Sequence, residues 1–296
     1  MDMSKFNRML RFERSGGKAL QELDSLTGLK EFKETMNLIV KGQKRQVVSM
    51  MRQKPLREIS NNMCFLGNPG TGKTAMSRRA ASLLYQCGAI SRGELLIAGR
   101  GDLVGEHVGE TALKTKALLQ KAKGAVLLID EAYALVDDRD GSFGDEAIST
   151  LVEYMDRERE QLTIIFAGYP EKMERFLEIN PGLRSRIPHM IHFPDYSEDE
   201  LYSIAEKFAQ EDGYWFAEDV KEKMVEHLCA AKQAPEFGNA RYVRNLVDRA
   251  ELEKARKIDL SKLMELPDEE VFRLEAADFI PLQAAAKYTR QKRIGF

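Results

Sequence analysis

A glycine-rich run that follows a short apolar segment has the composition of a phosphate-binding loop. It fits the pattern G-x-x-x-x-G-K-[ST] and consists of Gly67, Asn68, Pro69, Gly70, Thr71, Gly72, Lys73 and Thr74. Glycines allow a tight turn, so successive backbone N–H groups and the following helix N-terminus can face a chain of phosphates. In this pattern the Lys73 ammonium reaches the β- and γ-phosphates, and the Thr74 hydroxyl is a ligand for Mg²⁺. The alternative, a chance glycine-rich turn, is disfavoured by the strand-like segment before it and the helical pattern after it.

A pair of carboxylates follows another apolar run. Residues 125–129 lead directly into Asp130 and Glu131. At the end of a buried strand, Asp130 would hold the shell of Mg²⁺ and Glu131 would polarise an attacking water. Alone, the pair is moderate evidence, and a strand followed by a solvated turn is the alternative. Together with the glycine-rich loop, it predicts a nucleotide-hydrolysing site.

Short apolar runs alternate with helical patterns over the first two thirds of the chain, and they would position both motifs. Five runs are interpreted as strands, at residues 63–66, 95–98, 125–129, 162–167 and 190–193. This alternation predicts an α/β fold, a largely parallel sheet with helices on both faces. Parallel sheets bind ligands beyond the carboxyl ends of their strands, so the residues after each run are expected to form the site.

After Pro194 the pattern changes to helices only. Helical spacing recurs near residues 198–211, 217–231 and 241–256, with a closing segment at 271–279. We therefore expect a second, smaller helical unit. The first eighteen residues and the tail at 287–293 are locally basic, and solvated ends are the preferred interpretation of both.

Composition and charge exclude several classes of protein. The chain has 296 residues, 43% of them hydrophobic, and carries 45 Lys and Arg against 47 Asp and Glu, a formal net charge of −2. This is too apolar for a disordered tail and too neutral for a dedicated nucleic-acid binder. No apolar run approaches the roughly 20 residues that span a bilayer, and no secretory signal is evident. Three cysteines without CxxC spacing indicate neither disulfides nor zinc. We expect a cytoplasmic protein.

With both motifs placed, the chain resembles the AAA+ ATPases, and within them the group of CbbX, the red-type Rubisco activase, and stage V sporulation protein K. The resemblance covers about residues 23–249. Beside the glycine-rich loop, it rests on matching residues at 26–29, 102–105, 109–111, 128–133, 167–169, 180–182, 184–186, 193–196 and 238–241. The nucleotide motifs specify only the superfamily, whereas Asp-Leu-Val-Gly, Asn-Pro-Gly and Phe-Pro-Asp-Tyr are more specific to the group.

The resemblance implies an AAA+ P-loop fold with a parallel five-stranded sheet, helices on both faces and a small all-helical lid domain. It divides the chain into a basic N-terminal segment (1–22), a large domain (23–195), a lid (196–282) and a basic tail (283–296). It further implies a homo-oligomeric ring, expected to be a hexamer, with ATP and Mg²⁺ at each interface. A closed head-to-tail contact lets one subunit complete its neighbour's site.

The resemblance also assigns roles to single residues. Arg186, or less expectedly Arg184, occupies the place of the arginine finger; two solvated arginines are the alternative. Arg241 matches the sensor arginine of the lid, or is an ordinary helix-surface charge. Tyr169 occupies the place of a polar sensor, or is a packed structural tyrosine. Leu29, with the residues before it, would line the adenine pocket, or is a hydrophobic lead-in to a helix.

The loop after the second strand departs from the pattern of threading AAA+ rings, which place an aromatic, an aliphatic and a glycine there facing the pore. Here His107 stands at the aromatic position and Val108 follows it. Imidazole offers less grip on a peptide and titrates near neutral pH, so strong processive threading is not expected. A brief pull, a pH-sensitive contact and a plain exposed loop residue all stay open.

Three functions remain at this stage. The first is an ATP-driven remodeller of a protein partner, and the second is an ATP-switched scaffold, which His107 favours. The third and weakest is a loader for nucleic-acid machinery, prompted by the basic ends. The sequence does not identify the partner, because the group includes both Rubisco activases and sporulation-type proteins.

Overall fold

The computed structural model describes residues 23, 26, 28–55, 60–107, 109–136, 143–158, 161–234, 237–259 and 265–281. The two basic ends and Val108 therefore lie outside the described residues. The chain divides into two compact units, the first ending at Tyr196 and the second beginning at Ser197. Within the described residues, no helix combines the length and the apolar character needed to cross a membrane.

A parallel five-stranded sheet forms the centre of the first unit, with the strand order β2-β3-β4-β1-β5. The strands are β1 (Met63–Gly67), β2 (Leu95–Ala98), β3 (Val126–Ile129), β4 (Thr163–Gly168) and β5 (His189–Phe193). Every residue of β1, β3 and β4 is buried, as expected of interior strands covered on both faces. The α/β class and the five parallel strands are confirmed.

Helices cover both faces of this sheet. They are α1 (Lys30–Met51), α2 (Lys73–Gln86), α3 (Arg100–Leu103), α4 (Glu110–Ala122), α5 (Phe143–Arg157), α6 (Pro170–Ile179) and α7 (Pro181–Arg184). On the α1 side, Phe32 packs edge-on against Phe65 with ring centroids 5.9 Å apart. On the other side, Phe176 of α6 packs against Phe166 of β4 at 6.4 Å. Both interior faces are therefore closed by apolar contacts, which leaves the strand ends for polar chemistry.

The second unit is built on α8 (Glu198–Glu211), α9 (Val220–Ala231), α10 (Ala240–Lys257) and α11 (Asp268–Phe272). Ser197 caps α8 in a reciprocal box with Glu200: the Ser197 Oγ accepts the Glu200 N–H, and the Glu200 carboxylate accepts the Ser197 N–H. The expectation of helices only is wrong in one detail. Two parallel two-residue strands, β6 (Trp215–Phe216) and β7 (Arg273–Leu274), pair here, and strands this short carry no readable alternation.

Candidate nucleotide-binding site

The glycine-rich loop leaves the carboxyl end of β1 and enters α2 at Lys73. Gly70 and Gly72 have left-handed φ values of 71° and 93°, which glycine adopts without steric cost. A Cβ on Gly67 would lie 2.5 Å from the Phe193 carbonyl oxygen, so only glycine fits. The Thr71 hydroxyl donates to the Asn68 carbonyl at 2.8 Å and closes the loop on itself. The loop is thus a tight cradle at a helix N-terminus, the geometry that binds phosphate.

Lys73 bends back over this loop. Its Nζ donates to the Gly67 carbonyl at 2.7 Å and to the Asn68 carbonyl at 2.8 Å. Phosphate oxygens would be stronger, charged partners for the same ammonium. Thr74, the next residue, is half-buried in the first turn of α2. The cradle and its cation therefore fit a nucleotide phosphate chain.

Asp130 and Glu131 follow β3, on the same carboxyl edge of the sheet and separated from β1 by β4. The Asp130 N–H donates to the Ala98 carbonyl at 2.9 Å, which extends the β2–β3 ladder by one residue. Glu131 is exposed, has a left-handed φ of 50°, and its N–H donates to the Asp130 Oδ1 at 3.1 Å. The two carboxylates therefore stand at the edge where ligands of parallel sheets bind.

Residues that the sequence analysis did not assign to the site brace the loop from behind. The Asn68 side-chain amide donates to both carboxylate oxygens of Asp195 at 3.1 Å. The buried Tyr196 hydroxyl donates to the Thr71 carbonyl at 3.1 Å. Both residues belong to Phe-Pro-Asp-Tyr, which the sequence analysis used only as a family signature. Their position directly after the strand that neighbours β1 was the available signal.

Tyr169 follows β4 and is held in an aromatic cluster. Its ring centroid lies 6.0 Å from that of Tyr133. The Lys172 ammonium lies over both rings, 4.7 Å from the Tyr133 centroid and 5.3 Å from the Tyr169 centroid. Such cation–π contacts fix ring orientation. The packing favours a structural part for the Tyr169 ring, while its position after β4 places it at the site edge.

Arg186 precedes β5 and so lies at the amino end of the sheet, opposite the glycine-rich loop. Its Nη2 donates to the Asp156 carboxylate, and its Nη1 donates to the Gly182 carbonyl at 2.7 Å. The bond to Asp156 raises the pKa of Arg186 above its usual value. Its backbone carbonyl accepts the Asn62 side-chain amide at 3.3 Å. Both ends of the residue are fixed.

Arg184 differs from Arg186. It is exposed and lies on the rim of a cavity of about 330 Å³ whose apolar wall includes Leu66, Leu177 and Met190. The structure thus distinguishes an exposed arginine from one held by a carboxylate.

The remaining candidates lie apart from the loop in sequence. Leu29 is buried immediately before α1 with a left-handed φ of 56°. Arg241 is exposed in the first turn of α10, in the helical unit. There the buried Asn239 precedes the helix with a φ of 46°, and the Arg241 N–H donates to the Gly238 carbonyl at 2.9 Å.

His107 is exposed on the loop between α3 and α4. The Glu110 carboxylate accepts the backbone N–H groups of Glu106 and His107, both at 3.2 Å. The Gly105 N–H donates to the Thr111 hydroxyl at 3.0 Å. The first turn of α4 therefore holds this loop by its backbone and leaves the imidazole in solvent.

Comparison with known proteins places this geometry in a family. The model of the ATPase family associated with various cellular activities (AAA) matches residues 63–195, and the AAA lid domain matches 197–291. Protein CbbX of Cereibacter sphaeroides is 41% identical over 254 residues, which cover 83% of this chain and 81% of that protein. The chain belongs to the CbbX family of AAA+ ATPases. It is therefore a nucleotide-binding protein and an ATPase.

Another relative in the CbbX family is the chloroplastic ribulose bisphosphate carboxylase/oxygenase activase of Cyanidioschyzon merolae. It is 41% identical, over 79% of this chain and 81% of that protein. Among solved structures, the FIGL-1 AAA domain in complex with ADP superposes with a TM-score of 0.59 at 18% identity, over 86% of this chain and 80% of that one. A Thermotoga maritima RuvB mutant gives 0.57 at 17%, over 87% and 70%. At these identities the two structures show the shared AAA+ fold alone.

Proposed function

We propose that this ATPase works as a closed ring, expected to be a hexamer, hydrolyses Mg²⁺-bound ATP between neighbouring subunits, and uses the reaction to remodel a protein partner. One observation carries the proposal: the glycine-rich loop lies at the carboxyl ends of the parallel strands, and Arg186 lies at their amino ends. A five-residue strand is about 16 Å long, so Arg186 is too distant for phosphates on its own subunit. A head-to-tail contact would bring it against the loop of the next subunit, and such contacts close into rings.

Within one subunit, the loop and Lys73 would hold the phosphates, and Thr74 and Asp130 would hold Mg²⁺. Bound Mg²⁺ neutralises charge on the phosphate oxygens. Among the described residues, no three His, Cys, Asp or Glu side chains are grouped as metal ligands. The two protein ligands would therefore share the ion with phosphate oxygens and water, as is common for Mg²⁺.

Two further groups complete the reaction. Glu131, exposed at the edge of the sheet, would orient and deprotonate the attacking water. Arg186 of the neighbouring subunit would face the charge that develops on the γ-phosphate. Tyr169 would line this edge through its ring, and Leu29 would line the adenine pocket.

The helical unit would respond to the phosphate state. We assign residues 23–195 to the ATPase domain and 196–282 to the lid, with Arg241 as the lid's sensor. The exposure of Arg241 in the first turn of α10 supports this role, because a side chain there is free to take an anionic partner.

The partner is inferred to be a protein, with ribulose bisphosphate carboxylase/oxygenase as the first candidate, since one relative is named as its activase. The loop with His107 would contact it from the pore, because its backbone is fixed by α4 while the imidazole is in solvent. The histidine at the aromatic position, which offers less grip on a peptide, favours a second function, an ATP-switched scaffold that assembles partners without pulling.

Subunit mixing tests the shared site. Glu131→Gln and Arg186→Ala should each bind ATP and each lose turnover. Mixed one to one, they should regain activity, because about one quarter of the interfaces then combine an intact Glu131 with an intact neighbouring Arg186. Steady-state ATPase assays measure this. Full activity of either variant alone, or no recovery on mixing, would contradict the proposal.

Replacement of His107 and Val108 by alanine separates the remodeller from the scaffold. A remodeller loses its effect on the partner and keeps basal ATPase activity, whereas a scaffold keeps both. Leu113→Ala, at an exposed position on the adjoining α4, is the matched control. Reactivation of an inhibited carboxylase, measured by carbon fixation, is the first readout.

A further inference from the structure

The Arg186 guanidinium is bound by Asp156, a residue outside the nucleotide-binding motifs. Asp156 lies 30 residues earlier in the chain, in the last turn of α5, and accepts the Arg186 Nη2. The Gly182 carbonyl, in α7, accepts Nη1 at 2.7 Å. The guanidinium is therefore held from two separate helices before any neighbouring subunit is considered.

The place of Asp156 is unfavourable for a carboxylate by itself. The C-terminal end of a helix carries partial negative charge, so acidic residues there are destabilising unless a cation compensates. Arg186 supplies such a cation, in addition to Arg157 of the same turn. The ion pair with Arg186 therefore offsets the unfavourable position of the aspartate at the helix C-terminus.

The ion pair is also too exposed to serve mainly as a brace for the fold. The side chains retain 27% (Arg186) and 39% (Asp156) of their accessible surface, and ion pairs at such positions contribute little to stability. The ion pair has a larger effect on the conformation of the Arg186 side chain. An unrestrained arginine samples many rotamers and loses that freedom when it binds a phosphate. Restraint before binding lowers this cost.

The backbone of Arg186 is fixed from the interior of the sheet. Asn62 is buried; its amide nitrogen donates to the Arg186 carbonyl at 3.3 Å, and its oxygen accepts the Ile164 N–H at 2.8 Å. Main chain and guanidinium are thus tied to different elements, which leaves few orientations for the side chain between them.

We propose that Asp156 is a positioning residue that holds Arg186 in the orientation in which it meets the neighbouring subunit's nucleotide. The inference rests on the proposed function of Arg186 as an arginine finger. Asp156 does not touch the reacting atoms. It acts by keeping two guanidinium nitrogens engaged, Nη2 directly and Nη1 on the Gly182 carbonyl beside it, so that the group is held at a fixed place.

Replacement of Asp156 tests this on the full-length ATPase. Asp156→Ala should lower kcat roughly tenfold, because a misplaced catalytic group costs of that order or more. The KM for ATP should stay unchanged, since nucleotide binding uses the other edge of the sheet. Asp156→Asn keeps an acceptor of the same size and should restore at least half of the activity. Asp156→Ser, too short to reach Nη2, should resemble the alanine variant and replaces it if the alanine variant does not fold.

Glu153→Ala is the matched control, because Glu153 lies on the same helix but pairs with Arg157. Glu153→Ala should leave kcat within twofold of the value for the unsubstituted ATPase. Thermal unfolding should be equal for all variants. In an Arg186→Ala background, Asp156→Ala should have no further effect on the residual rate.

The outcomes separate this inference from the proposed function. If Arg186→Ala abolishes turnover while Asp156→Ala leaves kcat unchanged or raises it, Arg186 remains a finger and Asp156 does not position it. An equal loss in the Arg186→Ala background also overturns the inference. If Arg186→Ala itself retains full ATPase activity, the proposed function fails first.

Discussion

Glu131 has a backbone conformation that side-chain-bearing residues rarely adopt. It has a φ of 50° although it is not glycine, and this region costs a side-chain-bearing residue on the order of 1 kcal/mol or more. We therefore expect Glu131→Gly to raise the free energy of unfolding by about 1 kcal/mol and to abolish ATP turnover. Urea unfolding and ATPase assays measure the two effects. Glu131→Gln, which keeps the strain, should lose turnover without gaining stability; a gain of similar size in both variants would contradict this explanation.

Gly67 is limited by space. Because its Cβ would approach the Phe193 carbonyl to 2.5 Å, β1 and β5 would have to separate. Gly67→Ala should destabilise the chain by about 1–3 kcal/mol, the usual cost of overpacking, and weaken ATP binding. Gly99→Ala is the control, since a Cβ there meets nothing within 4 Å. Thermal unfolding and nucleotide titration measure both variants, and equal losses would show that the clash is not the cause.

At the scale of elements, β5 supports the loop that follows β1. The two strands are paired, and the residues after β5 reach the loop through Asp195 and Tyr196. Tyr196→Phe keeps the buried ring and removes the hydroxyl that donates to the Thr71 carbonyl. We expect a loss of about 1 kcal/mol in stability and several-fold weaker ATP binding, measured by titration. Tyr202→Phe, which breaks a tyrosine–Glu206 bond in the helical unit, should not change ATP affinity.

The helical unit contains a carboxylate that opposes its stability at neutral pH. Burial, with the charges of Asp212 and Asp248, raises the pKa of Glu251 above its usual value, and Arg244 offsets only part of this. The folded state therefore favours the protonated form, and stability falls as the pH rises through the raised pKa. Glu251→Gln should stabilise the protein by about 1 kcal/mol at pH 8 and by less at pH 5, measured by thermal unfolding. The exposed Glu222→Gln should show no such gain; an equal gain at both pH values would contradict the assignment.

The sequence predicts elements well where one local signal decides them. Interior parallel strands are continuous apolar runs, so β1, β3 and β4 were found within one or two residues. The bounds of α8 match the helical spacing of its apolar residues, and in the structure Ser197 and Glu200 cap its start. Contacts between distant segments carry no such signal: Asp156 and the pairing of β6 with β7 depend on how the chain folds back. Folding alone brings these residues together, and no local pattern marks them.

At the scale of the whole molecule, the proposed division of the site between subunits would make activity depend on assembly. We expect ATPase activity per subunit to rise steeply with protein concentration and to level off once rings are complete. The ATPase activity of Arg186→Ala should stay low at every concentration, although we expect this variant to assemble. Activity and sedimentation measured over the same dilution series test this. A rate per subunit that is constant from monomer to ring would contradict a shared site.

The placement of the glycine-rich loop and Arg186 at opposite ends of the strands also bears on which subunit a mutation inactivates and where compensating mutations arise. In a ring of the proposed kind, a defective arginine leaves its own subunit's nucleotide pocket intact and silences the pocket next door. In a ring that mixes altered and unaltered subunits, the subunit that carries the lesion is then not the one whose pocket fails. In a proposed ring built from copies of this chain alone, one gene would encode both sides of every contact, and a substitution at either side would be repeated around the entire ring. Compensating changes should therefore arise on the far side of the same fold rather than beside the original mutation.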